Sequence, residues 1–152
     1  LASSLMRIDR PDLAVQEAEK AAPYGIWDPD ILFVYGRALE AADNGGEAKR
    51  AYRDCLQLAP WSWYAHDGLA GVLLRENKPV EALAEIEIAK GLCPTAYHLW
   101  SNAGVALASL GANREALAEF EQAVRMDPKD PAAQENLRRM RAAMGVSEII
   151  DP

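Results

Sequence analysis

The sequence predicts an all-α array of antiparallel helix pairs, and three observations carry that prediction. Pro60, Pro94 and Pro128 stand 34 residues apart. Ala48, Ala82 and Ala116 keep the same interval, as do the small residues Gly36, Ala70 and Gly104 and the large ones Tyr52, Ile86 and Phe120. Between these columns apolar residues recur at the three- and four-residue steps of a helix. A fixed period of roughly 20–50 residues marks stacked supersecondary units. Such an array presents a surface, so the class of function to be expected is the holding of another protein.

Each element can be justified in chain order. Ala14, Ala18 and Ala21 extend the repeat's register backwards. Residues 1–8 read as the remnant of a first helix and 11–22 as the second helix of a truncated repeat. Residues 23–28, with Tyr24 and Trp27, form a turn. The first full repeat places helices at 31–42 and 47–58, separated by Asp43-Asn44-Gly45-Gly46. The second places them at 63–75 and 79–92 around Glu76-Asn77-Lys78, with Pro79 in a first helical turn, where its missing N–H costs nothing. The third has helices at 97–110 and 114–126. Gly111-Ala112-Asn113 supplies a stop and a cap between them, and the residue before Pro128 ends the second helix. A last helix over 131–144 lacks a partner, and Glu135, Arg138, Arg139 and Arg141 supply the polarity expected of a capping helix. The expected organisation is therefore a truncated repeat and turn over 1–28, repeats at 29–62, 63–96 and 97–130, a cap at 131–144 and a loose tail at 145–152.

Composition narrows the function. A net charge of −7 argues against nucleic acid as a partner, because that needs a basic face. No apolar run approaches the roughly 20 residues of a membrane span, so no membrane is expected. No signal peptide is visible, and the opening at Leu1 without methionine leaves a longer parent or a removed leader open.

These columns resemble the tetratricopeptide repeat (TPR), whose pattern is Trp, two residues, Leu-Gly, two residues, Tyr, then Ala, three residues, Phe, and finally Pro. The third repeat matches through Trp100, Ala103-Gly104, Leu107, Ala116, Phe120 and Pro128. The first supplies Leu32, Tyr35-Gly36, Leu39, Ala48, Tyr52 and Pro60. The second supplies His66, Leu69-Ala70, Leu73, Ala82, Ile86 and Pro94. The resemblance implies a right-handed superhelical solenoid whose first helices line a concave groove. It puts Phe33, Val34, Arg37, Tyr64, Arg75, His98, Ser101, Asn102, Val105, Asn136 and Arg139 on that inner face, with Asp30, Asp67, Gly68, Gly71 and Glu135 among them.

TPR domains that clamp a terminal carboxylate use lysines and asparagines. The matching places here hold Phe33, Arg37, Gly68, His98 and Asn102, of which only Asn102 keeps its type. Asn102 and Asn136 stand 34 apart on equivalent inner places. The TPR domain of O-GlcNAc transferases carries an asparagine ladder there, and a primary amide matches the donor and acceptor of a peptide unit. The pair is expected to act on affinity and not on folding; the bland alternative is ordinary surface polarity.

Other chemistry is thin. His66 falls where the third repeat has Trp100 and reads as a packing residue, while His98 reads as an exposed groove residue. Neither has a cysteine or acid at metal-ligand spacing, so no cofactor or metal is expected. Cys55 reads as a small core residue, and its register with Cys93 disfavours a disulfide. Glu81, Glu85, Glu87, Glu115, Glu119 and Glu121 read as a solvated outer face or an acidic docking patch. Trp27, Trp61, Trp63 and Tyr64 read as packing between repeats, with Trp61 exposed and the cluster a secondary site of partner contact. The expectation is a non-catalytic scaffold binding a protein or peptide. The alternatives are a substrate-recruiting arm of a transferase-type enzyme and a self-assembling module.

Overall fold

The computed structural model describes residues 28–146, together with Gln16 and Lys20, which are helical and exposed. Apart from these two residues, the expected truncated repeat and the turn with Tyr24 and Trp27 lie outside the described residues, as does the tail beyond Val146. Among the described residues there are seven helices and no strand: α1 (Pro29–Ala41), α2 (Gly45–Leu58), α3 (Trp63–Arg75), α4 (Pro79–Leu92), α5 (His98–Ser109), α6 (Asn113–Met126) and α7 (Pro131–Ala143). They fall into two compact units divided between Glu76 and Asn77, with α1–α3 in the first and α4–α7 in the second.

The helix ends follow from local chemistry. Asp28 caps α1 by accepting from the Asp30 N–H at 2.8 Å, and Asp130 caps α7 by accepting from Ala132 and Ala133. The sequence places Gly45 and Gly46 in a turn, yet α2 begins at Gly45. The Asn44 side chain accepts from Glu47 N–H and holds the first turn despite the glycines' poor propensity.

The turns after α1, α3, α5 and α7 share one device. Asp43, Asn77, Gly111 and Gly145 have φ of 58°, 58°, 76° and 66°, and they too stand 34 residues apart. This left-handed backbone is open to glycine and tolerated by asparagine and aspartate, which are the residue types found. One residue further on, the N–H groups of Asn44, Ala112 and Val146 reach back to the carbonyls of Leu39, Leu107 and Arg141. That closes the helix end with a six-residue loop of hydrogen bonding.

In the first unit, Leu32, Cys55 and Ala65 form a buried cluster flanked by Phe33, Leu56 and Tyr64. The ring of Tyr52 is fully buried, and two glycines make room for it. A Cβ at Gly36 or at Gly68 would lie 2.6 Å from ring atoms, so α1 and α3 both approach this ring at backbone distance. The Tyr52 hydroxyl donates to Glu40 Oε2 at 2.6 Å, and Glu40 Oε1 pairs with Arg75 at 2.6 Å. Burial first, and then the hydrogen bond to Glu40, push the Tyr52 phenol well above its usual range. Lys49, about one turn before Tyr52 on α2, pairs with Glu76.

In the second unit, Ala116, Phe120, Leu137 and Met140 form the buried cluster, with Leu107, Leu117, Val124 and Met144 against it. Gly104 plays the part of Gly36, since a Cβ there would lie 2.6 Å from Phe120 Cε1. Lys90 of α4 sits 4.9 Å from the centre of the Trp100 ring and 3.0 Å from Glu119, so one cation ties three helices together. Arg141 joins α7 to α6 through Glu121 at 3.0 Å.

Candidate functional site

The residues expected on the inner face fall into two groups, one in each unit. In the first, Phe33 and Arg37 come from α1, and Tyr64 comes from the start of α3. The rings of Phe33 and Tyr64 meet edge to face at 4.6 Å, and Phe33 also lies 6.0 Å from Tyr52. The Tyr64 hydroxyl donates to Asp30 Oδ1 at 2.7 Å, a pairing of equivalent places in successive repeats. That hydrogen bond raises the Tyr64 phenol above its ordinary value. The Arg37 guanidinium stands 6.0 Å from the Phe33 ring centre and is exposed. Val34 is half-buried on α1. Arg75, expected on the inner face, pairs with Glu40 and so reads as part of the Tyr52 network. Gly68 is there to clear the Tyr52 ring.

In the second unit, α5 and α7 enclose an open hollow of about 410 Å³. Val105, Ala108 and Ser109 line it from α5, Asn136, Arg139, Met140 and Ala143 from α7, and Phe120 closes its floor. Three residues singled out from the sequence thus converge here: Val105, Asn136 and Arg139. The floor is apolar and the rim polar, the usual make-up of a site that anchors a side chain and orients it. Val105 is 37 % exposed, so its isopropyl group is open to a ligand.

Two sequence readings change in this hollow. Asn136 Nδ2 donates to the hydroxyl of Ser101, a buried residue, at 3.0 Å. Asn136 therefore contributes to the α5–α7 contact as well as to the rim. Arg139 Nε pairs with Glu135 Oε1 at 2.6 Å, and Arg138 pairs with the same carboxylate. The two guanidinium groups hold the Glu135 carboxyl at about 2. Asn102 is half-buried on α5, and His98 is half-buried, its ring edge-on to Tyr97 at 5.9 Å.

His66 and Cys55 are structural. His66 is buried, with Nε2 3.1 Å from the Pro60 carbonyl oxygen. Cys55 is buried, and its thiol donates to the Pro29 carbonyl at 3.2 Å; Cys55 and Cys93 are both free thiols. Burial raises the Cys55 thiol above its usual value. Trp61 is 70 % exposed. Among the described residues no group of three metal-binding side chains comes together, and no helix is long and apolar enough to cross a membrane.

Residue-by-residue reading missed Glu40, whose carboxylate joins Tyr52 to Arg75. Its signal was weak, because a glutamate late in an amphipathic helix ordinarily faces water. It missed Lys90 for the same reason.

The comparisons with known proteins agree with this fold. Residues 97–130 match the family model of the tetratricopeptide repeat. No curated protein matches the chain. Among solved structures, MamA 41-end from Desulfovibrio magneticus RS-1 is similar at a TM-score of 0.84 and 21% identity, over 95% of this chain and 82% of that one. YrrB, described as a TPR protein with an unusual peptide-binding site, is similar at 0.81 and 20% identity, over 90% and 71%. The first TPR of Spaghetti (RPAP3), bound to the HSP90 peptide SRMEEVD, is similar at 0.74 and 20% identity, over 77% and 93%. At these identities the likeness is one of fold. With its helices, crossing glycines and left-handed turns recurring in step, this chain has the fold of a tetratricopeptide-repeat array, and residues 97–130 match the repeat itself.

Proposed function

We propose that the chain is a non-catalytic scaffold that holds a peptide segment of a partner protein in the hollow between α5 and α7. The observation that carries this is the convergence of Val105, Asn136 and Arg139 around an apolar floor of Phe120 and Met140. An apolar side chain of the ligand fills the hollow. Asn136, and Asn102 one repeat earlier on α5, offer amides to the ligand backbone. Two structural neighbours with peptide sites in their descriptions support the reading at the level of the fold. The paired state of Arg139 means that the rim selects weakly by charge. His66 is used in packing, which supports a binding rather than a catalytic role.

The test is selection from a displayed random-peptide library on the full chain, followed by calorimetry and amide-shift mapping with the selected peptides. Shifts should centre on Val105, Asn136 and Arg139. Asn102→Ala with Asn136→Ala should lower affinity by roughly one to two factors of ten, each lost backbone pairing counting for about 0.5–1.5 kcal/mol. Because Asn136 also bonds Ser101, this double variant loses about 1 kcal/mol of stability as well. Val105→Glu separates the two effects, since Val105 is exposed and its replacement blocks the hollow without breaking a contact network. Shifts confined to the Trp61–Tyr64 region, with affinity unchanged in all variants, would overturn the proposal.

A further inference from the structure

Helix α4 differs from its counterparts in the face it turns to water. Ala82, Ile86 and Ala89 are buried on one side. On the opposite side Val80, Ala84, Ile88 and Leu92 are all exposed, with Val80 at 67%, Ile88 at 47% and Leu92 at 43%. At about 100° per residue these four fall within an arc of about 120° and run about 18 Å along the helix. Helix α4 thus carries apolar residues on two opposite faces, of which only one is buried. The equivalent outer places one repeat earlier hold Gly46, Arg50, Asp54 and Leu58, and one repeat later Arg114, Ala118, Gln122 and Met126. The array itself therefore does not require apolar residues there, because its other second helices carry charge at the same positions.

The flanks of the stripe are acidic. Glu81 and Glu85 border one side and Glu87 the other. Glu81 and Glu87 are exposed, and Glu115 is exposed on α6, which Lys90 ties to α4 through Glu119. Lys90 neutralises part of Glu87 but faces Trp100 and Glu119, on the buried side of the helix. The net charge of −7 and these acidic flanks weigh against a second copy of this chain, whose α4 would bring like charges together. A partner with an apolar stripe and basic flanks meets both features.

We infer that the outer face of α4, centred on Ala84 and Ile88, docks an amphipathic helix with an apolar stripe flanked by lysine or arginine. The apolar stripes bury against each other, the acidic rims guide approach and set orientation, and the interaction weakens with salt. This site is separate from the hollow between α5 and α7 and does not depend on it.

The test uses two synthetic helical peptides with the same leucine stripe, one flanked by lysines and one by glutamates. The full chain should bind the lysine-flanked peptide, with amide shifts at Val80, Ala84, Ile88 and Leu92, and should not bind the other. Ile88→Asp should weaken binding by about tenfold or more, since charge is placed at the centre of the contact. Its exposure lets the variant fold, which circular dichroism checks. Glu81→Lys with Glu87→Lys should reverse the preference between the peptides. Absence of binding, equal affinity in Ile88→Asp, shifts centred on the α5–α7 hollow, or a dimer in sedimentation that Ile88→Asp abolishes would each overturn the inference.

Discussion

At the scale of single residues, the two large rings explain why particular positions must be glycine. Gly104 faces Phe120, and even one added carbon would stand 2.6 Å from the ring. Gly104→Leu is therefore expected to cost about 1–3 kcal/mol through overpacking, read as a lower urea midpoint with an unchanged slope. Tyr52 offers a second measurement. Its phenol is held above its ordinary value by burial and by the bond to Glu40, so the folded chain keeps it protonated where the unfolded chain ionises. The stability linked to this group is complete below pH 10, the unfolded value, and declines as pH rises beyond it. Alkaline unfolding should begin in that window and be postponed in Tyr52→Phe, after the variant's lower stability at neutral pH is subtracted. The small-residue column was legible in the sequence as Gly36, Ala70 and Gly104. That Gly68 serves the same ring was not, because its partner lies on another helix and no spacing along the chain announces it.

At the scale of elements, most of the helices could be read from periodicity, prolines and turn residues. The expected bounds of α3 and α4 coincide with those found, and the others differ by one or two residues. The exception, Gly45 and Gly46, is instructive. Propensity argued for a turn, and one capping side chain on Asn44 decided for the helix. The column Asp43, Asn77, Gly111 and Gly145 was present in the sequence, but its meaning lies in a backbone angle that only the fold displays. It yields a test. Gly111→Val places a β-branched residue at φ 76° and should cost about 1–2 kcal/mol. Asp43→Gly, at the matching turn, should change thermal stability by less than about 0.5 kcal/mol, since strain relieved offsets chain freedom gained. Equal losses at the two positions would show that the turns are not equivalent.

At the scale of the whole molecule, period and composition together were enough to assign the fold. Each repeat cannot bury its apolar face alone, so the columns had to be read as contacts between neighbours. The candidate site was legible only in part. The family resemblance put Val105, Asn136 and Arg139 on one face, but not the ion pair on Arg139 or the bond from Asn136 to Ser101, which depend on side-chain reach. The placement of Tyr52 has a further consequence, for cooperativity. Its ring has glycine backbone from α1 on one hand and from α3 on the other, whereas among the described residues only Gly104 comes as close to Phe120. If α1 frays, α3 loses the surface it rests on, and the reverse holds equally. Amide hydrogen exchange in the interiors of α1 and α3 should therefore proceed with a single opening free energy. Tyr52→Ala should split that shared value into two, with the helices then opening on their own timescales.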